Sequence, residues 1–254
     1  MAIRLVILLL ILPYQAFAAS CCGGGAGASS LILGDIRSRV QVQEGSSAWY
    51  GRFKQGRYLK VDKSPEIQRT TLEAIYQSDE YWQVSASALF EKSVIETQKR
   101  LKSSVFNFSY EFLPEVSFSR WKPRGFFSVG IKNVNQALLG KKDITSPVVG
   151  LTFSKRFEIF LVTSNFSYSD AEKEYFASLG VSVISGERLT LGAVVSSQLG
   201  TSDTFRMRSQ VNMRINLKHV HPTISVYSDD LLGLGKNIMG ERGLIIGLQY
   251  DYLM

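Results

Sequence analysis

The 254-residue sequence is short of the groups that most side-chain chemistry needs: it has two histidines, two cysteines and six prolines. Both histidines, His219 and His221, sit in one HVHP stretch, and no Gly-x-Ser-x-Gly sequence supplies a nucleophile elbow. The chain therefore offers no evident nucleophile–base pair and reads as a non-enzyme. Adjacent Asp229 and Asp230 read as solvated loop charge rather than as a general acid–base pair. The cysteines, Cys21 and Cys22, are neighbours and poorly placed for an ordinary disulfide. They leave two narrower readings, lipidation of Cys21 after Ala18-Ala19-Ser20 or a soft-metal site of paired thiolates. Two thiolates fall short of the four ligands of a zinc site, even with the histidines at hand, so no metal or other cofactor is assigned.

Long hydrophobic runs are also missing. The N-terminus, MAIRLVILLLILPYQAFA, has a positive charge at Arg4 and an apolar run from Leu5 to Leu12. That run is well short of the ~20 residues of a spanning helix. Ala16 and Ala18 flank Phe17 in the small-x-small pattern of a signal-peptidase site. Residues 1–18 thus read as a cleaved secretory signal, residues 19–30 as a Cys-Cys and glycine-rich flexible segment, and residues 31–254 as one domain. The formal charge is +7 and no block of like charge stands out. An exported basic chain meets anionic lipid or acidic solutes rather than nucleic acid.

What the sequence has in abundance is alternation. In TFRMRSQVNMRINL (204–217), Phe205, Met207, Val211, Met213, Ile215 and Leu217 share one parity, and Arg206, Arg208, Gln210, Asn212, Arg214 and Asn216 the other. Period-two alternation means a β-strand, whose successive side chains point to opposite faces. Strands of soluble sheets average about 5–6 residues. This one matches the ~9–11 that a tilted strand needs to cross a bilayer. The same pattern recurs over 31–42, 67–77, 81–91, 104–112, 125–134, 146–155, 157–168, 174–184, 188–198, 220–228 and 243–253, giving about twelve strands. Either a two-sheet sandwich or a membrane barrel with an oily outside and a wet inside would satisfy such strands. A mean hydropathy of +0.02 is compatible with the barrel, because only alternate residues face lipid.

The connections favour the barrel. SDE, KRF, SGER and HVHP read as tight turns, whereas 43–65, 92–101, 135–145 and 229–242 are long and polar or glycine-rich. With the first strand rising from the periplasm, the four tight turns fall inside and the four long segments outside, as in outer-membrane barrels. The segment 114–124 is a long exception on the inner side. SAWYGRF and RYLKV suggest a further hairpin in the first outer loop. Trp49, Tyr50, Tyr81, Trp82 and Trp121 lie near strand ends, where interfacial aromatic girdles form.

The last strand carries Leu248, Tyr250, Tyr252 and Met254 on one parity. Here the chain resembles the porin-like β-barrel proteins of bacterial outer membranes, with Met254 standing where an aromatic residue is typical. The resemblance implies an all-β, antiparallel transmembrane barrel in the outer membrane of a Gram-negative bacterium. It also implies contact with outer-membrane lipid and lipopolysaccharide, and recognition of the final strand by the barrel-assembly machinery.

Parity then nominates the lumen. Arg37, Arg39, Arg69, Arg206, Arg208, Gln210, Asn212 and Arg214 should line it, with Glu73, Glu91, Glu111 and Asp251 as counter-charges. A twelve-stranded barrel lies between side-chain-filled eight-stranded barrels and open porins. The expected function is a narrow, basic-lined diffusion channel favouring small anionic solutes. The alternative is a non-conducting structural or adhesive barrel. Its basic outer loop, with Arg52, Lys54, Arg57, Lys60 and Lys63, would bind lipopolysaccharide or a partner.

Overall fold

The computed structural model describes residues 36–54, 57–61, 66–78, 81–92, 98–114, 122–135, 143–170, 173–185, 188–200, 204–230 and 234–253. Residues 1–18, read above as a signal sequence, together with Cys21, Cys22, Lys63, Trp121 and most of the 114–124 connection, lie outside these residues. The strands are β1 (Ile36–Lys54), β2 (Arg57–Lys60), β3 (Glu66–Gln77), β4 (Trp82–Lys92), β5 (Arg100–Leu113), β6 (Arg124–Val134) and β7 (Ile144–Phe157). They continue as β8 (Phe160–Ser169), β9 (Glu174–Ser185), β10 (Leu189–Gly200), β11 (Thr204–Ile215), β12 (Val220–Asp229) and β13 (Ile238–Leu253). Apart from β2, each strand pairs antiparallel with its sequence neighbours, and β13 pairs with β1. The result is a closed twelve-stranded barrel. Closure leaves no unpaired edge, the condition for a sheet to stand in lipid.

The barrel is inverted relative to a soluble protein. Val211 is 63% exposed and Ile131 57%, on the outside, while Ser109 and Gln249 are 2% exposed, on the inside. Leu72, Phe106, Val129, Leu151, Leu179, Val226 and Ile246 continue the oily exterior around the wall. Exposed apolar surface on that scale would be an aggregation hazard in water and is what a bilayer requires. A soluble sandwich would hide this face between two sheets.

Three boundaries differ from the sequence expectation. The first strand does not stop at residue 42 but runs through EGSSAWYGRFK to Lys54. Register shifts at Ile36/Ser38 and Trp49/Gly51 put extra residues into β1. Such bulges re-aim side chains and break the simple parity that marks a strand. Beyond the second bulge, β1 folds back on β2 as the hairpin suspected from SAWYGRF and RYLKV, with Gly51 opposite Lys60. In addition, HVHP is not a turn, because Val220, His221 and Pro222 belong to β12 and the chain reverses before them. Likewise the β7–β8 reversal is at Glu158-Ile159 rather than within KRF.

Aromatics are divided between the faces. Trp82 stacks outside on Phe108 and Tyr110, each with ring centroids 4.4 Å apart, near the end where β1 begins and β13 finishes. Tyr76, Tyr250 and Tyr252 are exposed at the same end, completing one girdle. Trp49 is a correction, since it points into the lumen. Tyr50, at the bulge, turns its hydroxyl across to the Asp229 carbonyl.

Candidate functional site in the lumen

Two charged layers occupy the barrel interior. The lower one lies where β1 begins and β13 ends, and its hub is Asp251. Arg39 is the register partner of Asp251, which places a guanidinium directly beside the carboxylate. Arg39 Nε donates to Oδ1 at 2.8 Å and Nη2 to Oδ2 at 3.3 Å. Arg214 Nη2 donates to Oδ2 at 3.3 Å, and Gln249, two residues back on the same face, donates to both oxygens at 2.8 Å. His221 Nε2 lies 3.5 Å from Oδ2. One carboxylate thus gathers two guanidiniums, an amide and an imidazole. Nearby, Arg124 makes a two-pronged contact with Glu111, at 2.6 and 2.5 Å, and lies over the Phe126 ring. Arg39, Gln83, Gln249 and Asp251 are each 2% exposed, so side chains fill this part of the lumen.

The upper layer lies toward the β1–β2 hairpin. Register again makes the pairs, with Arg69 opposite Glu91 and Arg208 opposite Asp229. Arg69 Nε donates to Glu91 at 2.9 Å, and its other nitrogens reach Glu241 and the Ser47 hydroxyl. Arg208 Nε donates to Asp229 at 2.7 Å, and the guanidinium lies 4.2 Å above the Tyr227 ring. The Tyr227 hydroxyl donates to Glu241, and the Glu241 backbone N–H donates to Asp229 at 3.2 Å. Arg206 stands apart. Among the described residues its one charge contact is Nε to Asp229 Oδ2 at 3.5 Å, and its side chain is one-third exposed.

Asp229 and Asp230 are not solvated loop charge. Asp229 is fully buried among Arg206, Arg208 and the Glu241 N–H. Asp230 is 5% exposed and accepts the Gly235 N–H at 2.6 Å. The chain beyond Asp230 folds back against β11, where Phe205 and Lys236 exchange backbone hydrogen bonds of 2.9 Å each. β12 ends at Asp229, opposite Arg208, and beyond it Lys236 takes up the pairing with β11 at Phe205.

The eight nominated residues are thereby distributed. Arg39 and Arg214 belong to the lower layer, and Arg69, Arg206 and Arg208 to the upper. Gln210 donates to Asn212 at 2.6 Å between the layers. Arg37 lies in the β1 bulge at the lower rim and donates to the Ser78 carbonyl at 3.2 Å. Parity reasoning passed over Asp229, Glu241, Tyr227, Arg124 and the fully buried Lys132. Asp229 was open to discovery as the residue that continues the inward parity of β12. Glu241 was not, since it precedes the clean alternation of residues 243–253.

Within the upper layer is a cavity of about 570 Å³, and its wall is not uniformly polar. Leu89 and Val134 contribute from one side, and Phe176 and Val194 from the strands opposite. These apolar side chains line the lumen, a surface that a wet barrel interior otherwise gives to polar residues.

No known family model matches the sequence, and no curated protein does. Solved structures do match in fold. An outer-membrane channel from Pseudomonas putida F1 superposes with a TM-score of 0.67 at 11% identity, over 87% of this chain and 97% of that one. The NanC porin gives a TM-score of 0.55 at 9% identity, over 84% and 100%. The KdgM porin gives 0.53 at 10% identity, over 84% and 99%. The protein therefore has the fold of porin-type outer-membrane barrels.

Proposed function

We propose that the protein is a narrow diffusion channel of the outer membrane whose basic lumen favours small anionic solutes. The observation that carries this reading is the cavity of about 570 Å³ inside the barrel, with Arg69, Arg206 and Arg208 on its wall. Since Arg69 and Arg208 are engaged by Glu91, Glu241 and Asp229, the attraction for an entering anion falls chiefly on Arg206, with Lys102 on the opposite wall of the cavity. Fixed cations in a confined lumen raise the local anion concentration.

In this reading the β1–β2 hairpin faces outward, among lipopolysaccharide, and the oily belt meets outer-membrane lipid. The signal sequence directs export, and the final strand, β13, is what the assembly machinery engages. No enzymatic step and no cofactor is part of it. Current through the refolded protein in a planar bilayer under a salt gradient tests the proposal. Stepwise conductance with an anion-selective reversal potential supports it, and a folded barrel that passes no current overturns it.

The packed lower layer favours a second reading, a non-conducting barrel. Arg52, Lys54, Arg57 and Lys60 stand exposed on the hairpin and would then bind lipopolysaccharide or another partner. Absent current, combined with lipopolysaccharide binding that is lost on neutralising these four residues, would establish it.

A further inference from the structure

We infer that the cavity of the upper layer is a binding site for small organic anions with an apolar body, of the aromatic or short-acyl carboxylate class. The inference deepens the channel reading, on which it rests for the route a solute takes. Its starting point is a conflict between sequence pattern and place. A water-filled lumen is served by polar side chains at every inward position, and most of this barrel obeys that rule. In the cavity, Leu89, Val134, Phe176 and Val194 break it, on opposite walls. Val134 and Val194 are buried by their neighbours, but Leu89 and Phe176 are only half-buried, and each forgoes part of the gain that full burial would bring.

The site has the composition of a ligand pocket rather than of a simple pore. Its volume lies within the ~300–1,000 Å³ of small-molecule sites, which combine apolar walls with a few placed polar groups. The polar anchor is Arg206. Register sets Arg206 opposite Gln198, and Gln198 opposite Phe176, so cation, amide and ring share one row across β11, β10 and β9. Arg208, two residues on, is paired with Asp229 through two nitrogens and lies over the Tyr227 ring. Arg206 has only the 3.5 Å contact to Asp229 among the described residues, and its guanidinium retains donors for a carboxylate. Lys102, close to half exposed and 3.6 Å from Glu91, supplies a second positive charge to the cavity. A hydrophilic anion would use Arg206 and leave the apolar walls wet. A neutral hydrocarbon would cover the walls and leave the guanidinium without its partner. A carboxylate with a ring or a short chain satisfies both.

The test is equilibrium binding of phenylacetate, acetate and benzyl alcohol to the full barrel in lipid nanodiscs, with empty nanodiscs subtracted. Phenylacetate is expected to bind at least about tenfold more tightly than acetate, from burial of its ring. It should also bind at least about tenfold more tightly than benzyl alcohol, from the charge-assisted contact. Arg206→Gln should remove the second advantage and leave the first, and Phe176→Ala should reduce the first. Heat-modifiable gel migration confirms that each variant is folded. Equal binding of phenylacetate and acetate, no binding above empty nanodiscs, or an unchanged Arg206→Gln would each overturn the inference. Planar-bilayer current separates it from the channel reading. Binding without current leaves this site standing and removes the channel, whereas current without phenylacetate preference does the reverse.

Discussion

Arg39 and Asp251 face each other across the seam where the first and last strands of the barrel meet, with Nε and Oδ1 2.8 Å apart. They come from positions 212 residues apart, and both are 2% exposed. Removing Asp251 leaves Arg39 and Arg214 without their shared carboxylate. Breaking a buried ion pair from one side costs about 3–5 kcal/mol. Asp251→Ala should lower the denaturant midpoint of the barrel in lipid vesicles markedly. Asp251→Asn, which keeps an acceptor for Gln249, should cost less. Equal midpoints for wild type and Asp251→Ala would show that the seam is held by backbone pairing alone.

Arg206 and Arg208 share a strand face but should respond differently to truncation. Arg208 neutralises the fully buried Asp229, so Arg208→Ala should destabilise the barrel, by about 3 kcal/mol on the one-sided-loss scale. Arg206 is one-third exposed with a 3.5 Å contact, so Arg206→Ala should change stability by about 1 kcal/mol or less. On ion selectivity the order should reverse, with Arg206→Ala giving the larger loss of anion preference. Denaturant titrations and reversal potentials on both variants check the two orders.

Which face meets lipid is tested by one residue step. Val211 is 63% exposed on the outside, and Gln210 is 9% exposed inside. Val211→Arg should cost about 2–4 kcal/mol if the residue lies near the bilayer midplane. Its cost should fall when the barrel is held in detergent of adjustable packing rather than lipid. Ser209→Thr, on the same outer parity, should be close to neutral in both.

Gly130 has a different constraint. A Cβ there would collide with the Phe106 carbonyl oxygen and with the Asn107 side chain. The side chain could move, but the carbonyl belongs to the neighbouring strand. Gly130→Ala should therefore destabilise by about 1–3 kcal/mol through overpacking. Gly45→Ala, whose nearest contact would be 3.4 Å away, is the control and should be close to neutral. The unfolding midpoints of the two variants make the comparison.

The sequence by itself determined the fold. Alternation over spans near ten residues forces one oily and one polar face, and a chain of such strands with no spanning helix has few solutions other than a closed barrel. Parity also settled the lumen side of β11, because a strand's period of two is local and needs no partner. It failed where backbone geometry ceased to be regular. The bulge at Tyr50 disguised the second half of β1, and Trp49 consequently looked like a girdle residue.

What only the tertiary structure decided was which charges meet. Arg39 finds Asp251, and Arg69 finds Glu241, across separations of 212 and 172 residues, because closure and register bring their strands side by side or within reach. Register likewise buried Asp229, spared Arg206 and set Phe176 in its row. A one-residue slip would have sent each of these side chains to the other face. Alternation states which way a side chain points; only closure states what it points at.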